Sequence, residues 1–138
     1  MTVTTTVAHA HDELREEHQR LHALVDRLRA TVDAEALAAV FEELYGALTA
    51  HFNAEEKPGG LYDALGVCVP EFRAPLSELV DDHFRITAAL RDMRDRARKG
   101  PARAQGSLPG EAARLGQVLA DHERREHAMV DEAIHRGA

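Results

Sequence analysis

The chain has 138 residues, a formal net charge of −7 and only 4% aromatic residues. This length corresponds to about one domain, which can bury an apolar core without disulfides. The single cysteine, Cys68, excludes an intramolecular disulfide, a zinc ribbon and a Cys-x-x-Cys-His haem attachment site, and it favours a cytoplasmic location. The negative charge disfavours a nucleic-acid partner, and no apolar run approaches the roughly 20 residues of a membrane span.

The first half of the chain predicts two amphipathic helices. Ala, Leu, Glu and Arg, which lose little side-chain freedom in a helix, fill most positions. The first helix is expected to run from an N-cap at Asp12 to Val32, and the second to begin after an N-cap at Asp33 and to stop before Pro58. Residues 61–70, LYDALGVCVP, are expected to form a linker.

The second half predicts two more helices of the same kind. The third is expected to start near Glu71 or at Pro75 and to stop at Gly100, and the fourth to run from about Glu111 to Ile134. Four amphipathic helices with short connections predict an all-α fold, an up-down-up-down antiparallel four-helix bundle.

The predicted bundle occupies residues 12–135, and residues 1–11 are expected to form a flexible N-terminal tail. Three histidines near the ends of the chain, His9, His11 and His135, are expected to be solvated.

Each predicted helix places a histidine on the seam that should be apolar, and two helices add a glutamate one turn later. These residues are His18, His51, Glu55, His83, His122 and Glu126. Residues four apart stack on one side of a helix, so each His-x-x-x-Glu can offer an imidazole nitrogen and a carboxylate to one centre. Unpaired burial of so many polar groups is costly, and only a shared cation or a dense hydrogen-bond network offsets the cost. The pattern therefore predicts a metal site.

His22 is predicted as a further ligand, because it follows His18 by one helical turn. The alternative is an edge position in a groove between helices. His127 follows Glu126 directly, about 100° around the helix, and is interpreted as a flanking residue rather than a ligand.

One known family has histidines and His-x-x-x-Glu pairs in this order on four helices. The chain resembles the hemerythrin-like, or HHE cation-binding, domain family in His18, His51-x-x-x-Glu55, His83 and His122-x-x-x-Glu126. The resemblance covers nearly the whole chain. It implies two non-haem iron ions, bridged by the two glutamates and an oxo or hydroxo group, with O2 or a related small redox ligand such as NO or peroxide at an open iron position. Oxygen-carrying members have a His-x-x-x-His pair on the third helix, whereas here such a pair lies on the first.

The implied centre can be tested by counting ligands. Two roughly octahedral irons offer about twelve positions. Two bridging carboxylates, one bridging oxygen and five histidines leave one position open, which suits reversible O2 binding. Without His22, two open positions would favour oxidative or peroxide chemistry. The hypothesis assigns His18, His22 and His51 to one iron and His83 and His122 to the other.

Other functions remain as alternatives. A di-iron peroxidase, a catalase-like enzyme or an iron or redox sensor would use the same ligands. A ferritin-like oxidase would need two Glu-x-x-His pairs, and the sequence has one, from Glu132 to His135. A zinc hydrolase would need fewer ligands. A metal-free bundle could use histidine protonation as a pH switch.

Several polar residues adjoin the candidate ligands. Four of them are acidic: Glu17, Glu56, Asp82 and Glu123. They are expected to be charges of the polar helix faces, and the alternative is that they orient the imidazoles of ligands. Tyr45 and Tyr62 are expected to serve ordinary amphipathic packing, and the alternative is that they lie near the site.

Overall fold

The computed structural model describes residues 3–100 and 106–137, which contain helices and no strand. In chain order these elements are α1 (Val3–Glu13), α2 (Arg15–Ala30), α3 (Ala34–Glu56), α4 (Leu61–Cys68), a 3-10 turn (Pro70–Phe72), α5 (Arg73–Arg98) and α6 (Leu108–His135). The predicted all-α class is confirmed. Within the described ranges, none of the helices combines the length and hydropathy that a bilayer crossing requires.

The four long helices form the frame of the molecule. Helix α2 packs against α3 and α6, and α5 packs against the same two partners, so the four helices surround a common interior. The predicted N-cap of the second helix is present, because the Ala36 N–H donates a 3.0 Å hydrogen bond to the Asp33 carboxylate. Part of the loop after Gly100 lies outside the described residues.

The apolar seams predicted from the helical period are buried almost throughout. Val32 is an exception and is 79% exposed, because α2 already ends at Ala30. On the seam of α6, Leu119 is buried and the adjacent Val118 is half exposed.

Two additional helices depart from the predicted arrangement. The structure places Val3–Glu13 in α1 rather than in a flexible tail, and α1 packs against α4 and α6. Val7 of α1 is fully buried, because the apolar positions of this segment also follow a helical period. A turn at Leu14 separates α1 from α2, so the predicted first helix is interrupted near its start.

The predicted linker LYDALGVCVP is likewise largely helical, as α4. Leu61 and Leu65 of α4 are buried against apolar residues of other elements. This packing explains why a short segment without a strong helical signal becomes ordered, since tertiary contacts stabilise most protein helices.

The interior is divided into two apolar clusters. The Phe41 cluster includes Phe41, Leu44, Leu90 and Leu119 and is formed mainly by the four long helices. The Leu65 cluster includes Val7, Leu61, Leu65, Leu79 and Val130 and draws on α1 and α4 as well. Along each long helix, the histidine of the seam falls between residues of the two clusters. A layer of polar residues is thus enclosed by apolar side chains at both ends.

The turn after α3 is tight because Gly60 lies against the backbone. A Cβ atom at this position would lie 2.7 Å from the Ala54 carbonyl oxygen and 3.0 Å from that of Glu55. We expect Gly60→Ala to lower the free energy of unfolding by about 1 to 3 kcal/mol, as measured by urea denaturation. Gly46→Ala in α3 is the control, because a Cβ added there meets no atom within 4 Å. It should leave stability unchanged or raise it by up to about 1 kcal/mol, and equal effects of the two substitutions would contradict the prediction.

Candidate metal centre

Six polar side chains converge in the layer between the two apolar clusters. They are His18, His51, Glu55, His83, His122 and Glu126, and each is buried. We call this set the polar layer. Every one of the four long helices contributes a histidine to it, and α3 and α6 also contribute the glutamate one turn further on. The His-x-x-x-Glu spacing therefore places an imidazole and a carboxylate on the same buried face, as the sequence suggested.

The potential ligand atoms of the polar layer fall into two groups, within each of which they lie no more than 4.8 Å apart. The first group comprises His18, His51, Glu55 and Glu126, and the second His83, His122 and Glu126. Glu126 belongs to both groups. The four histidines divide between the groups as the sequence hypothesis divided them between two irons.

Each buried carboxylate reaches toward both groups. Glu55 Oε2 lies 3.1 Å from His51 Nε2, while Oε1 of the same residue lies 3.5 Å from His83 Nε2. Glu126 Oε1 lies 3.5 Å from His18 Nε2, and its Oε2 lies 4.0 Å from His122 Nε2. Two carboxylates that each present one oxygen to either side are suited to joining a pair of cations.

The polar layer contains buried polar atoms that lack a hydrogen-bond partner. Both carboxylate oxygens of Glu55, Oε1 of Glu126 and Nε2 of His18 are buried and make no hydrogen bond. Such burial costs roughly 1 to 3 kcal/mol for each neutral group and more for a charged one. A bound cation would be the common partner of these atoms, so the residues present fit a metal ion.

The second group, which contains His83 and His122, gives a further indication of a cation site. His83 Nε2 and His122 Nε2 lie 3.0 Å apart. The Nδ1 atom of each ring faces a carboxylate, which accepts a hydrogen and so leaves a lone pair on Nε2. With these tautomers the two Nε2 lone pairs face each other, an arrangement that a cation near both would stabilise. Two nitrogens at right angles, roughly 2.1 Å from one ion, would be separated by about 3 Å.

Acidic residues on the polar helix faces orient three of the imidazoles. His51 Nδ1 donates to Glu17 over 3.0 Å, and His83 Nδ1 donates to Glu56 over 2.6 Å. A weaker contact of 3.5 Å joins His122 Nδ1 to Asp82. The three acidic residues thus contact the imidazoles, as the alternative interpretation of the sequence proposed. They direct each Nε2 atom toward the interior.

Two aromatic residues complete the surroundings of the second group. The Tyr62 hydroxyl donates a 2.8 Å hydrogen bond to Glu126 Oε2 and lies 3.0 Å from His83 Nε2. The Phe52 ring stacks on His83 with 3.6 Å between centroids. The sequence interpretation expected Tyr62 to serve packing and kept a position near the site as the alternative. Its position depends on α4, which the sequence did not predict, so no local signal could have placed it.

His22 is the one predicted ligand that the structure does not bring into the polar layer. Its side chain is 57% exposed, and its Nε2 atom contacts the Glu123 carboxylate. His22 lies on the side of α2 that faces α6, in a groove that Glu123 also lines, and this was the alternative position.

Two histidines outside the predicted set lie close to His18 instead. The ring centroids of His11 and His127 are each 5.5 Å from that of His18. His11 was expected to be solvated, but it is partly buried because α1 packs on α6. His9 has an exposed side chain, and His135 is exposed, as expected.

Protons are distributed unevenly over the polar layer. Burial disfavours charge at His18, but the neighbouring Glu126 and Glu55 outweigh it and raise the pKa of this imidazole to about 10. Burial also opposes ionisation of Glu55, yet its polar neighbours lower its pKa to about 2. Burial and the charge of Glu55 raise the pKa of Glu126. Burial lowers the pKa of His83 to about 4, which leaves this ring neutral near pH 7.

The comparison with known families agrees with this geometry. The hemerythrin HHE cation-binding domain model matches residues 9–131, which include the whole polar layer. The chain belongs to this family. No curated protein and no solved structure matches it. The hemerythrin-like assignment made from the histidine and glutamate order is confirmed, and the chain has a helical cation-binding domain whose buried histidine and glutamate cluster could hold metal.

The orienting carboxylates provide one test of this hemerythrin-like centre. Glu56→Gln removes the charge that holds the His83 ring, so we expect metal affinity to fall by about tenfold or more. Glu123→Gln is a matched control, because Glu123 also contacts a histidine but lies outside the polar layer. Metal content after dialysis against graded chelator would measure the difference. Equal retention by the two variants would show that the Glu56 contact does not support the centre.

Proton release provides a second test. The pKa of His18 is raised to about 10, so this imidazole is protonated at pH 7. A cation that binds His18 must displace this proton. Metal uptake should therefore release protons, and affinity should increase with pH by about tenfold per unit for each proton displaced. Titration calorimetry at pH 7 in buffers of different ionisation enthalpy would measure the release. Identical heats in all buffers would contradict the prediction.

Proposed function

We propose that the polar layer binds two non-haem iron ions and, at this di-iron centre, O2 or a related small redox ligand such as NO or peroxide. The observation that supports the proposal is the pair of ligand groups joined by shared carboxylates. A mononuclear site would not need a carboxylate that reaches two histidine pairs on opposite sides. Histidine and carboxylate ligands suit iron, although manganese and zinc accept the same atoms.

The chain's own residues would have distinct roles in this function. His18 and His51 would hold one cation and His83 and His122 the other, while Glu55 and Glu126 would contact both. When bound, the iron pair supplies the redox electrons that O2, NO or peroxide chemistry requires. The Phe41 and Leu65 clusters exclude bulk water from both ends of the layer. The Tyr62 hydroxyl is positioned to give a hydrogen to a polar atom beside His83.

A second candidate function, peroxide turnover, is favoured by the exposed position of His22. The four histidines and two carboxylates supply at most eight ligand atoms, while a pair of six-coordinate ions takes about twelve. More positions are then open than a carrier needs for one O2 molecule. A buried hydroxyl, that of Tyr62, also lies beside the second group and would serve there as a hydrogen-bonding group for a bound ligand.

The same proposal includes two broader features of the protein. The four long helices would form the predicted antiparallel up-down-up-down bundle, because successive helices pass between the Phe41 and Leu65 clusters in alternating directions. A cytoplasmic location is proposed from the single cysteine.

The metal centre can be tested on the purified full chain. We expect two irons per chain and absorption bands in the near ultraviolet that change on reduction. Reversible recovery of the spectrum in air would indicate O2 binding, whereas rapid loss of added peroxide would indicate turnover. A colourless protein containing only zinc, or no metal, would contradict the di-iron proposal.

Substitutions can locate the irons. Glu55→Gln keeps the shape of the side chain but removes its charge, and we expect at least half of the iron to be lost, because both ligand groups approach this carboxylate. His22→Ala should keep its full iron content, since His22 lies outside the polar layer. Iron would be measured by elemental analysis of protein whose helix content is unchanged by circular dichroism. Loss of iron from His22→Ala would restore the original ligand hypothesis.

A further inference from the structure

A third group of potential ligands lies beside the polar layer. It consists of His11 on α1, His18 on α2 and His127 on α6, and their ligand atoms lie within 4.8 Å of one another. We call this group the histidine triad. The Nε2 atoms of all three rings are buried, and none has a hydrogen-bond partner. Core histidines normally satisfy their ring nitrogens with protein groups, so the unsatisfied Nε2 atoms of His11 and His127, beside the His18 ring, indicate a missing partner.

The spacing of the rings suits a cation. The centroids of His11 and His127 are 5.2 Å apart, and each lies 5.5 Å from the centroid of His18. Three imidazoles bound tetrahedrally at roughly 2.1 Å from one ion would have centroids about 5 Å apart. Small side-chain rotations would therefore bring the three nitrogens to one ion.

The histidine triad is accessible from outside the protein. A cavity of about 330 Å³ is lined by the three histidines together with Asp12 and Arg15. The side chains of Asp12 and Arg15 are 61% and 67% exposed, so the cavity reaches the surface. Arg15 is paired with Asp12 at 2.6 Å, which balances its positive charge near the opening.

His18 connects this cavity to the interior, because it belongs to the histidine triad and to the first group of the polar layer. We propose that the histidine triad is an entry site, at which a divalent cation binds before His18 passes it to the polar layer. This inference rests on the proposed metal-binding function. The ion keeps its charge during transfer, and only its ligands change.

The ligand chemistry gives the transfer a direction. The triad offers three imidazoles, whereas the first group of the polar layer offers two imidazoles and two carboxylates. Carboxylates add negative charge next to the ion, and burial strengthens that attraction. A cation such as Fe²⁺ is thus held more weakly at the triad than in the polar layer. A weak outer site and a tighter inner site that share one ligand favour inward movement.

The rate of iron uptake tests the entry role. Metal-depleted full-length protein would be mixed with limiting Fe²⁺ without oxygen, and iron incorporation followed in time. We expect His11→Ala and His127→Ala to slow uptake about tenfold or more, with final iron content unchanged, because the polar layer is intact. His9→Ala is the control, since His9 also lies on α1 but has an exposed side chain paired with Glu13. Uptake at the wild-type rate in both triad variants would overturn the entry role.

A second measurement tests the triad when the inner site is impaired. In a Glu55→Gln background, Co²⁺ should still bind at the triad and give the intense visible absorption of a four-coordinate ion. Adding His11→Ala should weaken this binding about tenfold or more, and adding His9→Ala should not. Equal Co²⁺ affinity in the two double variants would refute the site. If wild-type protein takes up no iron, the di-iron proposal fails, and the Co²⁺ result alone decides whether the triad binds a cation.

Discussion

The constraint on which the rest of the structure depends is the burial of four imidazoles and two carboxylates between apolar clusters. A folded domain is stable by only about 5 to 15 kcal/mol, so several unpaired buried polar groups would consume much of that margin. The Phe41 and Leu65 clusters prevent water from supplying the missing contacts. The protein therefore combines an interior in which unpaired polar groups are costly with a ligand set that cations can satisfy, so a bound cation would also stabilise the fold.

The acidic residues around the polar layer explain how the buried imidazoles are oriented. Glu17 and Glu56 lie near the surface, yet each accepts a hydrogen from the outer nitrogen of a buried ring. On His83, whose lowered pKa keeps the ring neutral, the inner nitrogen is left without a hydrogen, which is the form that binds metal. Surface charge thus fixes the tautomer of the buried ligand. The same residues would be interpreted as solvated helix faces if the sequence alone were considered.

The sequence predicted the elements that obey a regular period and missed those that depend on packing between helices. The four seams, the N-cap at Asp33 and the convergence of both His-x-x-x-Glu pairs follow from positions along single helices. His22 does not join them because it lies on the side of α2 that faces α6, and a single helix does not reveal which side a neighbour covers. Tyr62 and His11 were undervalued because α4 and α1 are held in place by tertiary contacts.

The two halves of the polar layer are chemically unequal. On the side of His18, the carboxylates raise the pKa of the imidazole to about 10, so a proton occupies the place of a cation until metal arrives. On the side of His83, burial lowers the pKa to about 4, and the ring is neutral and stacked under Phe52. The first half also adjoins the cavity with His11 and His127, whereas Tyr62 covers the second. A shared pair of carboxylates therefore joins a half that adjoins a surface cavity to a half that aromatic side chains enclose.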